Sequence, residues 1–321
     1  MERTTVVWFV IAATLVLVGL ILFAVVMTGY QWDFTKLGTG EYETNTYEIS
    51  EDFSNISVDT NTADILFVLS EDGKCTVECY EEEKEAHSAT VQEDTLSISV
   101  KEEKAWYDYI GINHGTPKIT VYLPKTEYGS LSIKESTGDV EMPDDFTFGE
   151  VDISLSTGDV AFCASASGMI KIKTSTGDIR VENISAGTLD LSVSTGEVTA
   201  SGVSCEGDVT VVVSTGKAYL TDIACKNVIS RGNTGDISLK NVIAAESFSI
   251  ERSTGDVKFE SCDAAEIFVE TDTGDVTGSL LTEKIFIIET STGDVRVPES
   301  LTGGKCKITT STGDIRISIK E

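Results

Sequence analysis

Hydrophobic and polar positions follow three regimes along the chain. From Val6 to Met27 runs VVWFVIAATLVLVGLILFAVVM, 22 residues without a charge. As a helix this stretch spans roughly 30 Å of hydrocarbon, enough to cross a bilayer. A second regime of short alternating runs follows a polar linker: Ile56-Ser57-Val58, Ile65-Leu66-Phe67-Val68, Thr76-Val77-Glu78-Cys79, Leu96-Ser97-Ile98-Ser99-Val100 and Ile119-Thr120-Val121-Tyr122-Leu123. Period two with polar turns between the runs predicts strands. From residue 136 onward the alternation becomes a repeat.

The repeat is punctuated by Ser-Thr-Gly-Asp-Val or a close variant. Its glycines are Gly138, Gly158, Gly177, Gly196, Gly216, Gly235, Gly255, Gly274, Gly293 and Gly313, so every step is 19 or 20 residues. A fixed period of this length is the signature of a solenoid. Relative to each glycine, apolar residues recur at +2 and +4 (Ile179 and Val181, Ile237 and Leu239) and at seven and five places before the next glycine (Leu189 and Leu191, Phe248 and Ile250). A further inward site at +7 (Ile184, Val203, Ile223, Val242, Cys262) lies in the return to the next strand. Each coil is therefore expected to hold two strands of about six residues and two corners.

The fold class expected is all-β: a right-handed parallel β-helix (β-solenoid) of about ten 19–20-residue coils, with an N-terminal β cap region and a single N-terminal transmembrane helix. The segments are a short cytoplasmic end (1–5), the transmembrane helix (6–28), a linker (29–44), an N-terminal β region capping the solenoid (45–135) and the solenoid repeats (136–321). Thr62-Ala63-Asp64-Ile65 reads as a degenerate repeat corner with alanine in the glycine's place. Glycine suits the corner because it adopts positive φ cheaply, while Ser, Thr and Asp can bond exposed turn amides.

Arg3 and the amino terminus lie on one side of the apolar run, and Lys36 is offset by Asp33 on the other. The positive-inside rule then places the N-terminus in the cytoplasm and the rest of the chain outside. The run is longer than a secretory signal and lacks a small-x-small cleavage site, so an uncleaved anchor is expected.

Charge narrows the partners. With 24 basic and 53 acidic residues the chain carries −29, which repels phosphate backbones and excludes nucleic acid as an expected ligand. The acidity is spread: residues 136–321 hold 15 basic and 30 acidic side chains, residues 33–135 hold 8 and 22. Seven cysteines, irregularly placed, form neither a disulfide framework nor a zinc-type pairing. Cys205 and Cys225 are expected to stack on adjacent coils as small buried hydrophobes.

The repeat aspartates Asp139, Asp159, Asp178, Asp236, Asp256, Asp275, Asp294 and Asp314 form a ladder interrupted by Glu197 and Lys217. It could draw hard cations, but the facing Gly-Gly-x-Gly-x-Asp turns of calcium-binding solenoids are absent. Turns satisfied by their own carboxylates are the preferred reading, so no metal and no cofactor is expected. The only histidines, His87 and His114, precede the repeats, and no nucleophile motif, phosphate loop or dinucleotide fingerprint occurs in a matching context. No catalytic residues are assigned. The densest aromatic cluster outside the anchor, Trp106, Tyr107 and Tyr109, is a possible contact loop for glycan, lipid or protein, or a hairpin folded onto its own core.

Phe53-Ser54-Asn55-Ile56-Ser57-Val58, Thr62-Ala63-Asp64-Ile65, Leu96-Ser97-Ile98 and Ile119-Thr120-Val121-Tyr122-Leu123-Pro124, followed by the Ser-Thr-Gly-Asp-Val repeats, resemble a known group. They are similar to the LiaG-like adhesin-type domain of bacterial envelope proteins, a domain of unknown function, over roughly residues 45–321. The resemblance implies a β-solenoid at the cell envelope, anchored by an N-terminal helix and linked to surface adhesion or envelope stress. It implies no catalytic residues. Two function classes follow: a non-enzymatic adhesin-like or scaffold protein whose partner is a cell-wall polymer or envelope protein, or a glycan-binding or glycan-processing β-helix.

Overall fold

The computed structural model describes residues 3–29, 31–32, 42–101 and 115–320. Helix α1 (Arg3–Gly29) carries the apolar run, and the stretch long and apolar enough to cross a membrane, Val7–Gly29, is solvent-exposed throughout its most apolar window. Strands β1 (Tyr42–Ile49), β2 (Asn55–Thr62), β3 (Asp64–Leu69), β4 (Cys75–Glu82), β5 (His87–Gln92), β6 (Thr95–Val100), β7 (Lys118–Leu123), β8 (Glu127–Thr137) and β9 (Val140–Met142) come next. The repeats then stack parallel strands in register, Val151 on Ile170 on Leu189 on Val209. The chain is a β-solenoid with an N-terminal apolar helix.

Each coil has three sides, not the two expected. In one, the long side Met169–Thr176 meets the Thr-Gly corner, Ile179–Glu182 forms the second side, and Ser185–Ala186 a short third. The second corner is made at +6, where Asn183, Gly202, Asp222, Asn241 and Ser261 all take φ between 52° and 64°. Asn, Asp and Gly tolerate that left-handed conformation best. It turns the chain so that Ile184, Val203, Ile223, Val242 and Cys262 point inward and are buried. The short side forms one buried column, bulky at its N-terminal end with Tyr128 and Phe148 and small beyond them with Ala166, Ala186, Cys205, Cys225, Ala244 and Ala264. All seven thiols are free, and Cys205 and Cys225 fill this column.

At the Thr-Gly corners the chain of one coil presses on the next. A Cβ added to Gly235, whose φ is 120°, would lie 1.9 Å from the Gly216 carbonyl oxygen. The glycine is required twice over, by conformation and by the approach of neighbouring backbones.

Residues 45–135 do more than cap the stack. β2 pairs in parallel with β8, and β3 with β9, so Thr62-Ala63-Asp64 is a true coil corner, with Thr62 on Thr137 and Ile65 on Val140. β6 and β7 form another coil on the far side of β2 and β3. Among the described strands only β1, β4 and β5 are antiparallel to their neighbours, β5 against β6 and β4 against both β7 and β1. These three strands close the end, as an unpaired parallel edge would otherwise template association.

Chain order and stack order differ at both ends. The last coil in sequence, Gly304–Thr312 with Ile315–Ile319, sits between Ile267–Leu280 and Lys284–Arg296. The C-terminal strand is thereby paired on both sides, which ties down a terminus that would fray at an edge. The outermost coil is Lys284–Arg296, with Ile285, Ile287 and Val295 exposed.

Candidate functional site

Along the Thr-Gly edge the aspartates are built into the backbone. Asp159 N–H donates to Asp139 Oδ1 at 2.8 Å, Asp178 N–H to Asp159 Oδ1 at 2.7 Å, Glu197 N–H to Asp178 Oδ1 at 2.7 Å and Asp275 N–H to Asp256 Oδ1 at 2.8 Å. The ladder begins before the repeats, where Asp139 N–H reaches Asp64 Oδ1 at 3.1 Å. At its interruption Lys217 Nζ pairs with Asp236 Oδ2 at 3.3 Å. One oxygen of each bonded carboxylate thus satisfies a turn amide, as an Asx cap does. The ten repeat glycines, Gly138 to Gly313, all lie at positive φ along this edge.

Chemistry departs from this uniformity at the N-terminal end. β4 alternates, so Cys79 and Glu81 face inward together. A 3₁₀ turn, Glu83–Glu85, returns the chain and sets His87 beside them at the head of β5. All three are buried. His87 Nδ1 lies 2.6 Å from Glu81 Oε2, which also accepts the His87 backbone N–H at 2.7 Å. Glu81 Oε1 accepts Asn45 Nδ2 at 2.8 Å, and His87 Nε2 is 2.7 Å from Thr60 Oγ1.

Burial pushes the Glu81 carboxyl up, but the bonds from the His87 ring, Asn45 and the His87 amide outweigh it and hold the group below its usual range. Burial, reinforced by the Glu81 charge, pushes the Cys79 thiol up to about 12. Sequence reading passed over this cluster because its ligand types are neither paired cysteines nor clustered histidines. Its signal is Cys-x-Glu on one strand face with a histidine after the next turn.

At the other end of the β1–β4 pair, a cavity of about 560 Å³ opens between the end of β1, the turn before β4 and the segment leading into β8. Glu48, Glu51, Asp52, Asp72 and Lys74 give it a polar rim, and Phe53 and Tyr128 form part of its wall. Those two rings stack at 6.0 Å, and the Tyr128 hydroxyl donates to the Pro124 carbonyl at 2.9 Å. Hydrogen bonds from the Lys74 amide and the Ser70 hydroxyl hold Asp72 below the ordinary carboxylate range. The aromatic contact loop of Trp106, Tyr107 and Tyr109 lies outside the described residues.

The family model described as Toastrack DUF4097 matches residues 53–212 and again 206–321. No curated protein matches the chain. Among solved structures, the chain is similar to a candidate adhesin from Bacteroides fragilis NCTC 9343, at 17% identity over 87% of this chain and 97% of that one, with a TM-score of 0.41. A candidate adhesin from Parabacteroides distasonis ATCC 8503 matches at 11% identity over 88% and 98%, TM-score 0.45. A candidate lipid-binding protein from the same organism matches at 12% identity over 88% and 98%, TM-score 0.36.

Proposed function

The chain belongs to the Toastrack DUF4097 family, and on that premise we propose that it is a membrane-anchored, extracytoplasmic β-solenoid of the bacterial cell envelope. It acts by contact, as an adhesin-like or scaffold protein, and not by catalysis. The observation that supports this most is the uniformity of the rod. Its Thr-Gly edge repeats one hydrogen-bonded corner from coil to coil, whereas catalysis needs a particular acid, base or nucleophile exposed to substrate. The described histidine, His87, is buried instead. Helix α1 supplies the anchor, with its N-terminus in the cytoplasm.

Purified protein in detergent micelles is expected to co-sediment with cell-wall polymer or with an envelope protein without changing it chemically. Turnover of such a polymer, lost on substitution of any one residue, would defeat the non-enzymatic reading. A link to the envelope stress response rests on the LiaG-like resemblance.

One observation favours a second reading, glycan binding at the N-terminal cavity: stacked Phe53 and Tyr128 rings stand beside the carboxylates of Glu51, Asp52 and Asp72. Sugars are commonly bound between an apolar ring face and polar groups that fix their hydroxyls. In that case Phe53→Ala would abolish polymer binding and leave the melting temperature nearly unchanged.

A further inference from the structure

We propose that Cys79, Glu81 and His87 form a zinc site that pins the closed N-terminal end of the rod. Their ligand atoms all lie within 4.8 Å of one another and are buried. A thiol, a carboxylate and an imidazole are the donor types that Zn²⁺ takes.

Charge makes the assignment specific. Thiolate and carboxylate carry two negative charges against the two positive charges of Zn²⁺, and a neutral imidazole adds none, so the loaded site is neutral in a buried setting where net charge is expensive. Binding releases the Cys79 thiol proton and any proton held between Glu81 and His87 to solvent. Water completes the coordination shell. Lys101, the neighbouring cation, is exposed and donates to the Tyr47 hydroxyl at 3.1 Å.

The surroundings already orient the ligands. Thr60 Oγ1, 2.7 Å from His87 Nε2, can accept a hydrogen bond from Nε2–H, which keeps the proton on Nε2 and leaves Nδ1 as the lone pair facing Glu81. Asn45 holds the other oxygen of Glu81. Such outer partners fix tautomer and orientation at metal sites. At 2.6 Å the Glu81 oxygen and His87 Nδ1 need a proton or a cation between them. Tetrahedral zinc bonds of about 2.0 Å would spread that pair to about 3.3 Å.

Cys79 Sγ has no hydrogen-bond partner among the described residues, so a metal bound there would break no thiol hydrogen bond.

The test uses tag-free, full-length protein in detergent micelles, stripped with chelator and titrated with Co²⁺ as the spectroscopic probe. The expected result is a thiolate-to-cobalt charge-transfer band saturating at one equivalent and displaced by Zn²⁺. Cys79→Ser should abolish the band, His87→Gln should weaken binding at least tenfold, and Cys205→Ser should change nothing. Zn²⁺ should raise the melting temperature of the parent protein but not that of Cys79→Ser, with far-ultraviolet circular dichroism confirming that each variant is folded. Absence of a thiolate band in the folded parent overturns the proposal, as does an equal Zn²⁺ response in Cys79→Ser.

Discussion

Glu135 sits in the inward column that the next coils fill with Leu155, Thr174 and Val193. Its Oε1 accepts the Ala63 N–H at 2.9 Å, and its Oε2 has no partner among the described residues. Burial, with the nearby charges of Asp64 and Asp139, raises the carboxyl to about 7. The folded protein therefore binds more protons than the unfolded chain between the ordinary carboxyl value of 4.5 and about 7, and stability falls as pH rises through that window. Glu135→Gln should remove this slope. It should exceed the parent in stability by about 3 kcal/mol at about pH 8 and match it at about pH 4. Urea unfolding of both proteins at the two pH values checks this, and an identical pH dependence would contradict it. Further along the same column Gly232 makes room for the buried Arg252 guanidinium, which donates to Ser230 Oγ at 2.9 Å while its Nε has no partner among the described residues. Burial lowers that group to about 10. Neither charge is legible as buried from its own position in the sequence, since the column is otherwise apolar or Thr and only stacking shows which way the side chain points.

Coils were legible where chemistry recurs. The Thr-Gly corners and the columns at +2 and +4 follow from spacing alone, because each has one side-chain type fixed by one physical need. The third side was not, because its corner is served by Asn183, Gly202, Asp222, Asn241 and Ser261, residues that share a tolerated φ and not a side chain. The interleaved ends were hidden for another reason. Every coil has the same period, so a coil placed out of order keeps its register; Asp314 N–H bonds Asp275 Oδ1 across 39 residues. Position in the stack, not in the chain, then sets the cost of a substitution. Val257 is fully buried between Ile237 and Val276, so Val257→Asp should cost about 4 kcal/mol or more, as for an unpaired buried charge. Ile287 lies on the outermost coil and is 46% exposed, so Ile287→Asp should stay within about 0.5 kcal/mol of the parent. Thermal unfolding of the pair decides it; comparable losses would mean that Lys284–Arg296 is an interior coil.

At the scale of the whole molecule, an apolar helix joins an acidic rod closed at one end by antiparallel strands and ended at the other by a coil with apolar side chains in solvent. The apolar helix was legible because 22 uncharged residues are long enough, as a helix, to cross a bilayer. The N-terminal cluster was not, because Cys79 and His87 meet only when the turn at Glu83–Glu85 folds β5 back. The central claim, an anchored rod outside the membrane, is tested most directly by labelling Leu301→Cys with a membrane-impermeant maleimide on intact protoplasts. Leu301 is 95% exposed, and every native cysteine except the half-buried Cys163 is buried, so the unsubstituted protein provides the background. The account predicts labelling of intact protoplasts to the same extent as after lysis; labelling that appears only after lysis would contradict it.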